Sequence, residues 1–247
     1  MPVRFDILTL FPEMISGIIQ DSILKRAIEK GKIEVNIINF RDFSTNKHHT
    51  VDDYTYGGGA GMLISVEPVH LAMQTIPHLD QAYKILTSPS GTVYNQQKAE
   101  QLAKQEHIVL ICGHYEGIDA RILDYIDEEI SIGDYVLTGG EVAACVLIDS
   151  IARLVPGVIR DESIIGESFT MGLLEYPQYT RPPVYDGKSV PEVLLSGHHA
   201  HIQKWQRYQA LQKTYQKRPE LLKQVALSKE DHKMLEEIIH DQDKSNI

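Results

Sequence analysis

Two runs near the middle of the chain carry the residue types that could hold a ligand. Cys112-Gly113-His114-Tyr115-Glu116-Gly117-Ile118-Asp119 follows an apolar stretch directly, and Ile130-Ser131-Ile132-Gly133-Asp134-Tyr135-Val136-Leu137-Thr138-Gly139-Gly140-Glu141 comes soon after. Each reads as a buried strand entering a glycine turn, where a missing Cβ lets the backbone approach a ligand closely. A third turn, Leu86-Thr87-Ser88-Pro89-Ser90-Gly91, completes a set of strand ends of the kind that bind nucleotides in α/β sheets. None is a G-x-G-x-x-G or a Gly-Lys-Ser/Thr loop, which counts against a nicotinamide dinucleotide or ATP. The loop Tyr54-Thr55-Tyr56-Gly57-Gly58-Gly59-Ala60-Gly61-Met62 looks like a phosphate cradle but lacks the lysine that would pair with the phosphate. Ser196-Gly197-His198-His199-Ala200-His201 offers histidines without a cysteine or carboxylate at ligand spacing, weak grounds for zinc.

The elements that must position these turns alternate. Residues 3–10, 33–39, 84–88, 108–112 and 130–137 read as strands, with Pro89-Ser90-Gly91 ending the third. Helices are expected over 12–29, where Pro12 suits a first turn, and over 67–75, 96–105 and 140–153. Residues 45–61 read as a loop. This order predicts an α/β domain with a mainly parallel sheet over residues 1–160. Residues 157–172 have no clean period and read as a linker, bounded at 161–173. From Pro191 onward the pattern is helical, over 193–195, 202–213, 219–225 and 229–240, which predicts a small all-helical domain over 174–247 whose last seven residues fray. Trp205 shares helical spacing with Tyr208 and Leu211, so core packing is its expected role.

Composition is that of an ordinary globular protein of 247 residues, 43% hydrophobic and 23% charged. No apolar run is long enough for a membrane span, and the N-terminus lacks a signal peptide's apolar core, so a cytoplasmic protein is expected. Cys112 and Cys145 sit in apolar surroundings and read as reduced core thiols. The net charge of −10 argues weakly against general nucleic-acid binding, but its distribution is uneven. Residues 181–223 hold eight basic residues against three acidic ones, whereas 116–141 hold eight acidic residues against Arg121 alone. A basic C-terminal face suits a phosphate backbone, and a solvated helix face is the plainer reading of the same residues.

The runs at 112–119 and 130–141, with the long block Glu167-Ser168-Phe169-Thr170-Met171-Gly172-Leu173-Leu174-Glu175-Tyr176-Pro177-Gln178-Tyr179-Thr180-Arg181-Pro182, closely resemble the TrmD family of tRNA (guanine-N1)-methyltransferases. The resemblance covers almost the whole chain. It implies a SPOUT-type sheet with a trefoil knot at its C-terminal part, a feature composition alone never suggests. It implies S-adenosylmethionine, held bent by Leu86, Thr87, Ser88, Pro89, Gly91, Gly113, Tyr115, Glu116, Gly117, Ser131, Ile132, Gly133, Tyr135, Leu137, Gly139 and Gly140, with Glu116 and Glu175 near its methionine end. Gly57, Gly58, Gly59, Ser168 and His198 fall on the substrate side. The target implied is N1 of the guanine 3′ of the anticodon. That nitrogen carries a proton, so a base must remove it as the methyl arrives, and the charge moving onto O6 must be stabilised. Glu167 matches the family's base and Arg153 its O6-stabilising arginine. The family usually has aspartate at this base; Glu167 keeps the carboxylate and adds a methylene, with Asp161 and Glu162 as nearby substitutes. A magnesium ion at residues not specified, a tRNA partner and a homodimer whose sites borrow the opposite subunit's linker and C-terminal domain are also implied. A ribose 2′-O-methyltransferase of the same class would lack the 172–182 block. A non-catalytic RNA-binding protein would bind tRNA and transfer nothing, and a small-molecule enzyme would be stabilised by ATP or NAD rather than by adenosylhomocysteine.

Overall fold

The computed structural model describes residues 2–160, 167–170 and 172–245. The chain divides into two compact units, Met1–Asp161 and Glu162–Ile247. Asp161 and Glu162 lie outside the described residues.

The first unit is built on β1 (Val3–Thr9), β2 (Ile33–Asn39), β5 (Tyr83–Val93), β6 (His107–Cys112) and β7 (Glu128–Ser131). They form one parallel sheet in the order β2-β1-β6-β5-β7. β6 is buried along almost its whole length, as a central strand covered on both faces must be. On one face, α1 (Pro12–Ile19), α2 (Ser22–Glu29), α4 (Gln96–Leu102) and α5 (Glu141–Ala152) bury Ile15, Leu24, Leu102, Ala144 and Leu147 against Phe5, Ile7 and Leu110. On the other, α3 (Val66–Gln74) packs Val69, Ala72 and Met73 against Leu8, Val109 and Ile111.

Four local expectations are corrected. The helix expected over 12–29 is two helices: Asp21 is extended, its carboxylate accepts the Ser22 N–H at 2.6 Å, and Ser22 turns through a φ of 54°. Asp and Ser compete for backbone hydrogen bonds and so favour helix starts over interiors. β5 does not stop at Ser88 but continues past Pro89 through a bulge. Ile130 of β7 faces both Thr87 and Thr92, so residues 88–91 are pushed out of the ladder, where proline's missing N–H costs nothing. β7 in turn ends at Ser131, not at residue 137; Gly133, at a φ of 148°, turns the chain into a loop. Finally, the expected loop over 45–61 contains β3 (Asp52–Tyr54), paired antiparallel with β4 (Met62–Ile64), so the glycines form a hairpin tip.

The second unit is mainly helical: α6 (Glu192–Leu195), α7 (His199–Lys217) and α8 (Lys229–Ser245). Its core is Leu173, Ala210, Leu211, Met234, Leu235 and Ile238. Arg207 on α7 forms a two-point ion pair with Asp231 on α8, at 2.7 and 2.9 Å. The unit is not all-helical, since β8 (Val184–Tyr185) and β9 (Lys188–Ser189) make a short hairpin. α8 also continues to Ser245, so the expected fraying from residue 241 is not seen among the described residues. Trp205 is half-buried beside Tyr179, with ring centroids 6.4 Å apart, and is not a member of the core cluster.

Candidate functional site

The carboxyl ends of β5, β6 and β7 open on one cavity of about 420 Å3, within the range of ~300–1,000 Å3 common for small-molecule sites. Leu86, Thr87, Ser88 and Pro89 line it from the β5 bulge, and Gly113, Tyr115, Glu116 and Gly117 from the turn after β6. Ser131, Ile132, Gly133, Tyr135, Leu137, Gly139 and Gly140 line it from the loop between β7 and α5. The three turns separated in sequence thus meet at one place.

Their meeting is held by backbone contacts. The Gly140 N–H donates to the Gly113 carbonyl at 2.7 Å, and His114 bridges Gly139. A Cβ on Gly140 would lie 2.0 Å from Thr87 Oγ1 and 3.0 Å from the Gly113 nitrogen, so only glycine passes there. Tyr115 is held in the left-handed region at a φ of 58°, a sparsely populated conformation for such a residue. The Gly117 N–H to the His114 carbonyl at 3.1 Å and the Glu116 N–H to the Met62 carbonyl at 3.2 Å lock the turn.

Gly91 is not on the cavity wall. A Cβ there would lie 2.4 Å from the backbone of Glu129 and Ile130, so it permits the bulged half of β5 to press on β7. Gly57, Gly58 and Gly59 lie at the exposed tip of the β3–β4 hairpin. That hairpin is fastened to the cavity: the Ile64 N–H donates to the Gly117 carbonyl at 2.9 Å, and the Glu116 side chain packs on Gly61.

A pair beneath the cavity was not singled out by the sequence. Glu141, 1% exposed, opens α5, where the helix's positive end favours a carboxylate. Its Oε1 accepts the Thr9 hydroxyl at 2.8 Å. Its Oε2 and His114 Nδ1 are both buried without a hydrogen-bond partner and stand 3.7 Å apart. His114 lines the cavity and packs on Phe11. A glutamate directly after Gly-Gly at a helix start is the signal that could have found it. Close by, burial raises the Cys112 thiol well above its usual range and Cys145 to about 11, with Glu141's charge adding to both.

Arg153 caps the C-terminus of α5. Glu167, Ser168, Glu175 and His198 belong to the second unit. There the Ser168 hydroxyl accepts the Glu175 N–H at 3.0 Å, and the Phe169 N–H donates to the Leu173 carbonyl at 2.8 Å. Glu167 therefore precedes a tied turn. The Glu175 carboxylate accepts the Gln178 amide, and its carbonyl accepts the Lys213 ammonium at 2.8 Å. His198 stacks on His201 with centroids 4.0 Å apart. Arg207 is held by Asp231, Arg218 by Glu220 and Lys204 by Glu230 at 3.8 Å, so these cations of the basic stretch have carboxylate partners within the unit. Among the described residues, no three His, Cys, Asp or Glu side chains could together hold a metal ion. Likewise no helix among them is long and apolar enough to cross a membrane.

A family model described as tRNA (Guanine-1)-methyltransferase TrmD matches residues 3–224. Proteins named tRNA (guanine-N(1)-)-methyltransferase are similar over almost their full lengths. The one from Moorella thermoacetica is 54% identical over 241 residues, covering 96% of each chain. That from Dictyoglomus turgidum is 52% identical over 237 residues, again 96% of each. That from Staphylococcus epidermidis is 54% identical over 236 residues, 95% of this chain and 96% of its own.

Proposed function

The chain belongs to the TrmD family of tRNA (guanine-1)-methyltransferases, and we propose that it methylates N1 of the guanine 3′ of the anticodon in tRNA, using S-adenosylmethionine. The convergence of three glycine turns on one cavity carries this reading. The cavity's chemistry fits the cofactor: backbone N–H and carbonyl groups for adenine, close walls that a Cβ on Gly140 would fill, and Glu116 for the ammonium group. When bound, the cofactor supplies an electrophilic methyl group.

The chain's own residues then have separate tasks. Tyr115 and the loop that follows β7 line the cavity beside the cofactor. Glu167 takes the N1 proton on its carboxylate. Arg153, always charged, donates hydrogen bonds to O6 as negative charge gathers there. The hairpin tip at Gly57, Gly58 and Gly59 is assigned to the RNA substrate, and so, from the second unit, are Ser168 and His198. Magnesium commonly binds through one or two carboxylates with water and phosphate oxygens, and no residue of this chain is assigned to it. Resting on the family resemblance alone, the trefoil knot belongs to the same reading. So do a cytoplasmic setting, where tRNA is modified, and a homodimer whose linkers complete each other's sites. Met14 and Ile18 on α1, and Val142 and Val146 on the adjoining α5, stay 42–48% exposed, an apolar face suited to a second copy.

The roles are tested by Glu167→Ala and Arg153→Ala. Each lowers kcat by roughly two to three orders of magnitude, in line with loss of a general base or of an oxyanion donor, while adenosylhomocysteine still binds. Near-full transfer by Glu167→Ala, with activity lost in Arg153→Ala, would remove the carboxylate from its role.

A further inference from the structure

We propose that a cationic pocket on the first unit, lined by Arg26, Lys30 and Arg160 with Lys32 beside its Gly157 wall, binds a phosphate of the RNA backbone. The proposal rests on the reading of tRNA as the substrate. A second concavity, of about 630 Å3, is lined by Ile23, Arg26, Lys30 and residues 157–160. Arg26 and Lys30 lie one turn apart at the end of α2. Lys32, at the entry to β2, lies against the wall: a Cβ on Gly157 would lie 3.1 Å from its ammonium nitrogen. Arg160 comes from the segment after α5.

Cations at a helix C-terminus are common because they offset the helix's negative end, which accounts for Arg26 and Lys30 alone. It does not account for Lys32 and Arg160, which arrive from two other parts of the chain. None of the four takes part in an ion pair among the described residues, unlike Arg207, Lys204 and Arg218 in the second unit. Four like charges converging in a protein of net charge −10 repel one another, and an anion relieves that repulsion. Arginine and lysine together match a phosphate's geometry and charge. Ile23 is the one exposed large apolar residue of the rim, too little for anchoring to a membrane surface.

The test is tRNA binding by the full-length protein across a salt series, with Lys30→Gln/Arg160→Gln set against the control Lys25→Gln/Lys104→Gln, which removes the same charge elsewhere on the unit. The pocket variant is expected to raise the Kd for tRNA roughly tenfold. The slope of log K against log salt should fall by about 1 to 2, since each phosphate contact contributes ~0.7–0.9. In turnover, KM for tRNA rises and kcat holds, the pattern of lost uniform binding. Stabilisation by adenosylhomocysteine stays as in the parent, which separates the effect from misfolding. An unchanged slope, or an equal fall in the control pair, overturns the proposal. Stabilisation by inorganic phosphate that the variant loses, with tRNA affinity unchanged, overturns the RNA assignment in favour of a small anion. If the parent binds tRNA but transfers no methyl group, the catalytic reading fails and the slope alone still judges the pocket. If the parent binds no tRNA, both fall.

Discussion

Glu141 shows how a residue can shape a site it does not enter. Its carboxylate is almost wholly buried, takes one hydrogen bond from Thr9 and faces the His114 ring that forms part of the cavity wall. Glu141→Gln keeps the size and removes the charge, so the wall should keep its shape and adenosylhomocysteine should bind within a few-fold of the parent. Glu141→Ala leaves the Thr9 hydroxyl buried without its acceptor and should cost about 1–3 kcal/mol of stability, read from urea unfolding. Equal effects of the two variants would contradict this division. The cysteines follow the same logic of burial. Cys112 and Cys145 are buried, with thiols held above their usual range, so a thiol reagent at pH 8 should label neither in the native protein and both after unfolding. Rapid native labelling would contradict the burial. Glu141 stands in a notable run, directly after Gly-Gly at a helix start, but its partners Thr9 and His114 could not be read from that run because they are distant along the chain. Only the sheet, which sets β1 beside β6, brings them together.

At the scale of elements, the site depends on where strands stop. The sheet's composition and the alternation of strands and helices were legible from hydrophobic period alone. The strand ends were not, because a glycine turn and a bulge look alike in sequence. Residues 132–137 are apolar enough to read as strand, yet they form cavity wall, and Pro89 reads as a stop, yet β5 resumes beyond it. Both errors fall at the cavity, where ordinary strand geometry gives way to ligand geometry. Two glycines separate the roles. Gly91→Ala forces a methyl group against the backbone of Glu129 and Ile130, and Gly140→Ala forces one onto Thr87 and Gly113. Each should destabilise the first unit by about 1–3 kcal/mol, as overpacking commonly does. Gly140→Ala should in addition abolish stabilisation by adenosylhomocysteine, whereas Gly91→Ala, off the wall, should retain most of it. A thermal-shift series with the ligand distinguishes them, and the opposite ranking would contradict the assignment.

The whole molecule combines two units with separate cores, and each holds a carboxylate that makes its stability fall in acid. In the second unit the Arg207 guanidinium holds the Asp231 carboxyl far below the usual carboxylate range, aided by the Ser228 N–H and hydroxyl. A depressed folded value means that this contribution is fully present above the ordinary aspartate value near ~3.9 and is lost as pH falls below it. Asp231→Asn should therefore lower the stability of the second unit at pH 7, and the difference from the parent should shrink as pH falls below about 4. In the first unit, burial of Asp6 opposes ionisation, but hydrogen bonds from Arg4, His107 and Asn36 outweigh it and lower its value, so the same sign applies there. Assembly is a second property of the whole. If the exposed face of α1 and α5 meets a second copy, Met14→Asp/Val146→Asp should shift sedimentation from dimer to monomer and reduce methyl transfer with it; a parent that sediments as a monomer would contradict the shared site. The proposed dimer and knot rest on family resemblance and not on periodicity, since neither would leave a mark on composition.

The most direct measurement is methyl transfer from labelled S-adenosylmethionine to a tRNA transcript with guanine 3′ of the anticodon, beside the same transcript with adenine there. Label entering the guanine transcript alone is the predicted result, and it would mean that a glutamate at position 167 supports the reaction. Equal labelling of both transcripts, or tRNA binding with no label in either, would contradict the account.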